Sequence, residues 1–327
     1  MMKKISIIGA GSWGTTLAVL VAENGHDVTL WVREKENIQS IVRERENKQY
    51  LPGIKIPDNV YVENSMKEVA SKADLIVNAV PTQFTRDVTK QYSEHINCDV
   101  VVNVAKGIEV KTYKRTSEIL REELPDNVSI VTLSGPNHAE EVSRKMPTAT
   151  VIASENVNCL NEIKKIFHTD YFRVFPHDDI IGVEVCGALK NIAALAAGVC
   201  DGLGYGDNAR ASIITLGLME MSTYGKFLGA KRATFYGLAG VGDLVATCTS
   251  KHSRNRFVGE KIAEGKKLDD IRNEMKGMIA EGIQTTKAVY EFSKKNNLYM
   301  PLTEQAYGVL YKNKDLKQAI HDLLKIE

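Results

Sequence analysis

The first half of the chain alternates between two hydrophobic rhythms. Short β-branched runs with few polar residues recur at 4–8, 27–32, 74–80, 99–105 and 129–133. Runs of this kind suit strands buried on both faces of a parallel sheet. Between them the apolar positions take helical spacing, at 15–24, 35–47, 85–96, 116–123 and 139–145. Such alternation predicts an α/β domain with a doubly wound parallel sheet. Two more strands, 148–153 and 171–175, are expected around a helix at 159–168. After about Asp178 the strand pattern stops. The remaining residues read as helix at 180–202, 208–228, 254–265, 281–297, 302–311 and 316–325, with a glycine-rich stretch at 237–243. The expectation is a doubly wound domain over 1–177 followed by an all-α C-terminal domain over 178–327. No internal repeat or low-complexity segment is visible.

Composition narrows the functional classes. The 327 residues are 43% hydrophobic, enough for a large core and about two domains. Lysine and arginine number 42 and the acids 41, a net charge of +1, so a nucleic-acid partner gets no support. The start, MMKKISIIGAG, lacks the apolar stretch of a signal peptide. Residues 180–200 are apolar enough to consider as a membrane span. Glu184, Lys190 and Asn191 within them, and a mean hydropathy of −0.20, argue against stable insertion. Five cysteines with no C-x-x-C pair point to reduced thiols and a cytoplasmic protein. Seven histidines without ligand spacing give no reason to expect a metal.

The first strand runs into Gly9-Ala10-Gly11-Ser12-Trp13-Gly14. A strand before this spacing and a helix after it indicate a Rossmann-type dinucleotide site. Gly9 permits the tight turn. Gly11 lets backbone approach a pyrophosphate at the helix N-terminus, and Gly14 lets helix and strand pack closely. Ser12 can donate to a phosphate; Trp13 either walls the cofactor cleft or belongs to the core. An acid ending the second strand would take the ribose 2′-OH of NAD. Arg33 stands there instead, suited to the 2′-phosphate of NADP. NADP(H) is thus the expected preference. Glu34 keeps NAD(H) open, and a merely solvated Arg33 is the bland alternative.

Ligands of such sheets lie beyond the carboxyl ends of the strands. Lys106 follows the strand at 99–105, where a cation would serve an anionic substrate or simply be solvated. Lys190 is harder to explain, because Glu184 is the only other charge in the apolar run 180–200. Its helical neighbours Val183, Gly187, Ala194 and Ala197 leave a groove for another helix or a ligand. Lys190 is either a general acid or base in that groove or a partner of a buried carboxylate. Asp243 closes the 237–243 glycine stretch and either serves a site or caps the next helix. Ser253, Arg254 and Asn255 open a helix with a Ser cap and a cation that opposes the dipole, an arrangement a bound phosphate would justify.

The segments GAGSWGTTLA, VNVAKGIE, LSGPNHAEE, GALKNIAALAAGVCDGLGYGDNARA, GLAGVGDLVATCTS and SRNRFVGE together resemble the soluble bacterial NAD(P)-dependent glycerol-3-phosphate dehydrogenases, in order, from residue 3 to about 300. The resemblance implies reversible reduction of dihydroxyacetone phosphate to sn-glycerol 3-phosphate, supplying phospholipid synthesis; a homodimer is expected separately, the sequence itself not giving the oligomeric state. The resemblance also implies Lys190 as the catalytic lysine in a cleft between two domains, and Lys106 holding substrate beside it. Asp243, Arg254 and Asn255 would complete the substrate pocket, with Lys106 and Arg254 also near the cofactor. Gly135 and Asn137 would contact substrate and Ala139 the cofactor. Ile279 and Glu281 would close over the cofactor. Asn137 stands where family members often have Ser or Thr, which puts that one contact in doubt. Other readings are a β-hydroxyacid dehydrogenase or ketopantoate-type reductase of the same design, and a nicotinamide-sensing protein without chemistry.

Overall fold

Period-two burial makes the first sheet two-faced. In β1 (Lys4–Ile8), Ile5 and Ile7 enter one apolar cluster with Leu17, Leu20 and Val28, while Ile8 enters another with Ile76, Val101 and Ile130. The computed structural model describes residues 2–275 and 277–325. The other strands are β2 (Asp27–Trp31), β3 (Glu46–Asn47), β4 (Leu51–Lys55), β5 (Val60–Glu63), β6 (Leu75–Asn78), β7 (Val100–Asn103), β8 (Ser129–Ser134), β9 (Thr148–Ser154) and β10 (Phe172–His177). Eight form one sheet, in the order β10-β9-β8-β7-β6-β1-β2-β5; β3 and β4 pair separately. The strand order reverses between β1 and β6, the usual crevice for ligands in a doubly wound sheet.

The sheet is parallel except at one place. β9 pairs antiparallel with β8, with Thr132 opposite Ala153, so β9 and β10 run against the rest. The link after β8 carries one helical turn, Ala139–Val142, which does not supply the crossover a parallel return needs. A full helix, Leu160–Phe167, joins β9 to β10, and those two are parallel. The sequence pattern also missed β3, β4 and β5, and the short helices Met66–Ser71 and Leu268–Glu274. The helix expected over 35–47 stops at Glu44, because Arg45 takes a left-handed φ of 51°.

The chain forms two units. The first comprises Met1–Ala105 and Thr116–Ile180, and the second Lys106–Arg115 and Ile181–Glu327. The segment 106–115, which the sequence pattern assigned to 1–177, therefore belongs with the helices. Its anchors are specific. Asn191 Nδ2 donates to the Lys106 carbonyl (3.1 Å), and Arg115 Nη1 pairs with Glu184 Oε2 (2.7 Å).

In the second unit, helix Ile180–Gly202 is long and apolar enough to cross a membrane, and most of it is buried. Another helix packs closely against its C-terminal half. A Cβ on Gly198 would stand 1.9 Å from the Arg256 carbonyl oxygen, and one on Gly259 would stand 2.0 Å from that of Leu195. Helix Arg254–Ala263 thus meets it backbone to backbone.

Candidate active site

The first unit holds the glycine loop at the strand-order reversal. Gly9 has φ +115°, and a Cβ there would lie 2.7 Å from Ala79 O, just past β6. A Cβ on Gly14 would lie 1.9 Å from Gly9 O, so the helix Ser12–Glu23 starts hard against the strand end. Around Gly11 nothing lies within 4 Å of a Cβ. The loop is tight at its two outer glycines and open at the middle one, next to a helix N-terminus. That fits a dinucleotide pyrophosphate.

Around this loop, Ser12 is buried, and Thr16 Oγ1 donates to both Ser12 O (2.9 Å) and Ala139 O (3.3 Å). Trp13 packs on the first apolar cluster with its ring 6.2 Å from Phe172, its indole N–H buried without an acceptor among the described residues. Arg33 is exposed, and its Nε donates to the neighbouring Glu34 at 2.7 Å. Gly135, at φ +151°, follows β8 with no room for a side chain beside Thr150. Asn137 Nδ2 donates to Thr150 Oγ1 at 3.2 Å.

The second unit assembles the charged residues. Asp243 is 1% exposed and shared between two ammonium groups. Its Oδ1 lies 2.5 Å from Lys190 Nζ and its Oδ2 lies 2.9 Å from Lys106 Nζ. Lys190 also donates to Thr247 Oγ1 at 2.8 Å, and that hydroxyl donates to the Asp243 carbonyl at 2.6 Å. Asp243 is the first residue of helix Asp243–Thr249 but its side chain does not cap it; it faces the lysines. Of the glycines before it, Gly240 serves close packing, since a Cβ there would stand 2.1 Å from Phe235 O.

Charge and burial act together here. Burial pushes the Lys106 ammonium down to about 8 against the attraction of Asp243, and the Lys190 charge adds to the fall. Burial works to raise Asp243, but the two lysines outweigh it and hold its carboxyl below the ordinary value. The three side chains sum to one net positive charge, inviting an anion.

Amides tie the surrounding elements together. Asn191 Oδ1 accepts from Asn255 Nδ2 (2.9 Å), and Asn255 Oδ1 accepts from Gly282 N (3.0 Å). Glu281 Oε2 accepts from Lys106 N at 3.4 Å. Ser253 caps its helix by accepting from Arg256 N (3.2 Å), with half-buried Arg254 as the first helical residue. Ile279 is exposed. The structure thus joins Lys106, Lys190, Asp243, Asn255 and Glu281 in one network, and places Gly9 to Gly14, Arg33, Gly135, Asn137 and Ala139 in the other unit. Sequence reasoning gave no role to Asn191 or Thr247. Asn191 follows Lys190 and Thr247 lies one helical turn after Asp243, and that adjacency was the available signal.

Comparison with known proteins gives the family. The models of the NAD-dependent glycerol-3-phosphate dehydrogenase N-terminus and C-terminus match residues 4–160 and 179–321. The chain belongs to that family. A curated glycerol-3-phosphate dehydrogenase (NAD(P)+) of Chlorobium limicola is 50% identical over 326 residues, spanning 99% of this chain and 98% of the relative. The corresponding dehydrogenase of Bacillus pumilus is 45% identical, over 99% of this chain and 94% of its own. The crystal structure of the Coxiella burnetii glycerol-3-phosphate dehydrogenase superposes with TM-score 0.95 at 36% identity, covering 99% of both chains. A ketopantoate reductase of Ralstonia eutropha reaches TM-score 0.63 at 17% identity, a likeness of fold alone.

Proposed function

We propose that this glycerol-3-phosphate dehydrogenase family member reversibly reduces dihydroxyacetone phosphate to sn-glycerol 3-phosphate, with NADP(H) preferred and NAD(H) accepted. The observation that carries the reading is the sharing of Asp243 between Lys106 and Lys190. A nicotinamide cofactor supplies the hydride. Lys190, held by Asp243 and Thr247, donates a proton to the carbonyl oxygen as negative charge develops there, and takes it back from the hydroxyl in reverse. Lys106 holds the substrate beside it. Ser253, Arg254 and Asn255, at a helix N-terminus, receive the phosphate. Gly135 and Asn137 contact substrate. Gly9, Gly11, Ser12, Trp13, Gly14, Arg33, Ala139, Ile279 and Glu281 serve the cofactor, with Lys106 and Arg254 near it.

Three wider attributes belong to the same reading. A homodimer is supported by apolar side chains left exposed on helix Asp207–Phe227, Met219 at 61% and Phe227 at 49%. A cytoplasmic setting is supported by five free cysteines. The product is the backbone unit from which glycerophospholipids are built.

The test is an initial-rate assay of dihydroxyacetone phosphate with NADPH and NADH in parallel, repeated with Lys190→Ala. Turnover is expected with both cofactors, faster with NADPH. The variant should lose about 10²–10⁴-fold in kcat with NADPH binding retained. A Lys190→Ala enzyme at wild-type rate removes the lysine from the mechanism.

A further inference from the structure

Segment Lys106–Arg115 is a small hairpin. Ile108 pairs antiparallel with Arg115, Glu109 N donates to Lys114 O (3.0 Å), and Tyr113 closes the turn at φ 61°. Lys106 lies two residues before Ile108, so whatever fixes Arg115 fixes the strand that carries Lys106. Arg115 is fixed by Glu184 at 2.7 Å, the two side chains 9% and 4% exposed. Glu184 is seven residues before Asn191 on helix Ile180–Gly202, and positions seven apart lie within about 20° on a helix. One helix face therefore grips the hairpin twice, Glu184 on Arg115 and Asn191 on the Lys106 carbonyl. Lys190 stands on that same helix. A buried ion pair is a poor stabiliser, because desolvation offsets its attraction and apolar residues of similar volume do as well. What this pair supplies is register.

We propose that Arg115 and Glu184 are positioning residues for the reaction, setting where Lys106 stands relative to Asp243 and Lys190. The inference rests on the substrate-holding role given to Lys106 above. Neither residue touches the reacting atoms in this scheme; both act through Lys106.

The experiment is a mutant cycle on the full chain. Replacing the pair by apolar residues, Arg115→Met with Glu184→Leu, should give a folded protein with near wild-type thermal midpoint and NADPH affinity. Its kcat/KM for dihydroxyacetone phosphate should fall about ten- to a hundredfold, the scale of a misplaced binding group. In a Lys106→Ala background the same replacement should change kcat/KM by no more than about twofold, because the group it positions is gone. Wild-type kcat/KM in the pair variant overturns the proposal. So does an equal loss in both backgrounds, which places the pair's effect elsewhere. If Lys106→Ala alone keeps wild-type kinetics, the underlying role of Lys106 fails and the proposal falls with it, a result distinct from the other two. Should the pair variant not fold, Arg115→Lys keeps the buried charge without the planar fork. Its smaller loss must likewise vanish in the Lys106→Ala background.

Discussion

Lys106 shows how burial is turned to use. Its ammonium, brought to about 8, is charged in neutral solution and loses that charge through the mildly alkaline range. The substrate phosphate is fully ionised well below that range. On the proposed role of Lys106, a rise through about pH 8 takes a cation from the anion rather than changing the anion's own charge. KM for dihydroxyacetone phosphate should climb with this transition, while Lys106→Arg, whose charge persists, should abolish the climb. A KM that stays flat from pH 7 to 9.5 in the wild-type enzyme counts against the role of Lys106. Much at this scale was legible. Lys190 announced itself as a charge in an apolar run, and Asp243 as a carboxylate closing a glycine-rich stretch with few large side chains. What the chain does not spell out is that a residue 53 positions away answers the lysine. That bond bears out the reading of Lys190 as partner of a buried carboxylate, and its catalytic role is the proposal made above.

One helix here is held at its N-terminus by a side chain from another helix. Glu220, on helix Asp207–Phe227, accepts from Leu302 N (2.5 Å), Thr303 N (3.1 Å) and Thr303 Oγ1 (2.6 Å), and so caps helix Pro301–Lys312. Burial raises its carboxyl to about 7, above the ordinary 4.5, against those hydrogen bonds. The folded state then holds a proton the unfolded chain has released. The Glu220 contribution to stability is complete below about 4.5 and declines as pH rises to about 7. His26 and His168, both lowered by burial, slope the opposite way, so the measurement is a difference. Wild type minus Glu220→Gln, by denaturant unfolding, should lose stability between pH 4.5 and 7. A difference that does not vary with pH refutes the assignment. Glu220→Ala, which strands two buried amides, should cost about 2–4 kcal/mol. Elements were legible where the pattern was long: helix Ile180–Gly202 was read to both ends. Strand direction at β9 was not, because it depends on what the preceding link spans. β5, four residues at the sheet edge, is too short to show a period.

For the whole molecule, stability and ligand binding are linked. A cofactor at a hundred times its Kd adds about 2.7 kcal/mol. The glycine loop separates that gain from folding itself. Gly11→Ala meets no neighbour and keeps a permitted φ of −69°, so its ligand-free melting should match wild type while the NADPH-induced rise disappears. Gly14→Ala forces a methyl onto the Gly9 carbonyl and should melt lower without ligand. Equal behaviour of the two variants would contradict the loop's assignment. The connectivity of the two units has a further consequence. The chain changes unit at 105/106, 115/116 and 180/181, so neither unit is one uninterrupted stretch. No single crossover between two such genes exchanges one unit cleanly for another. A recombinant joined near residue 180 keeps the first parent's hairpin and receives the second parent's helix face. Its arginine must then meet a glutamate that arose in a different lineage. Inheritance of the two halves is tied together by ten residues.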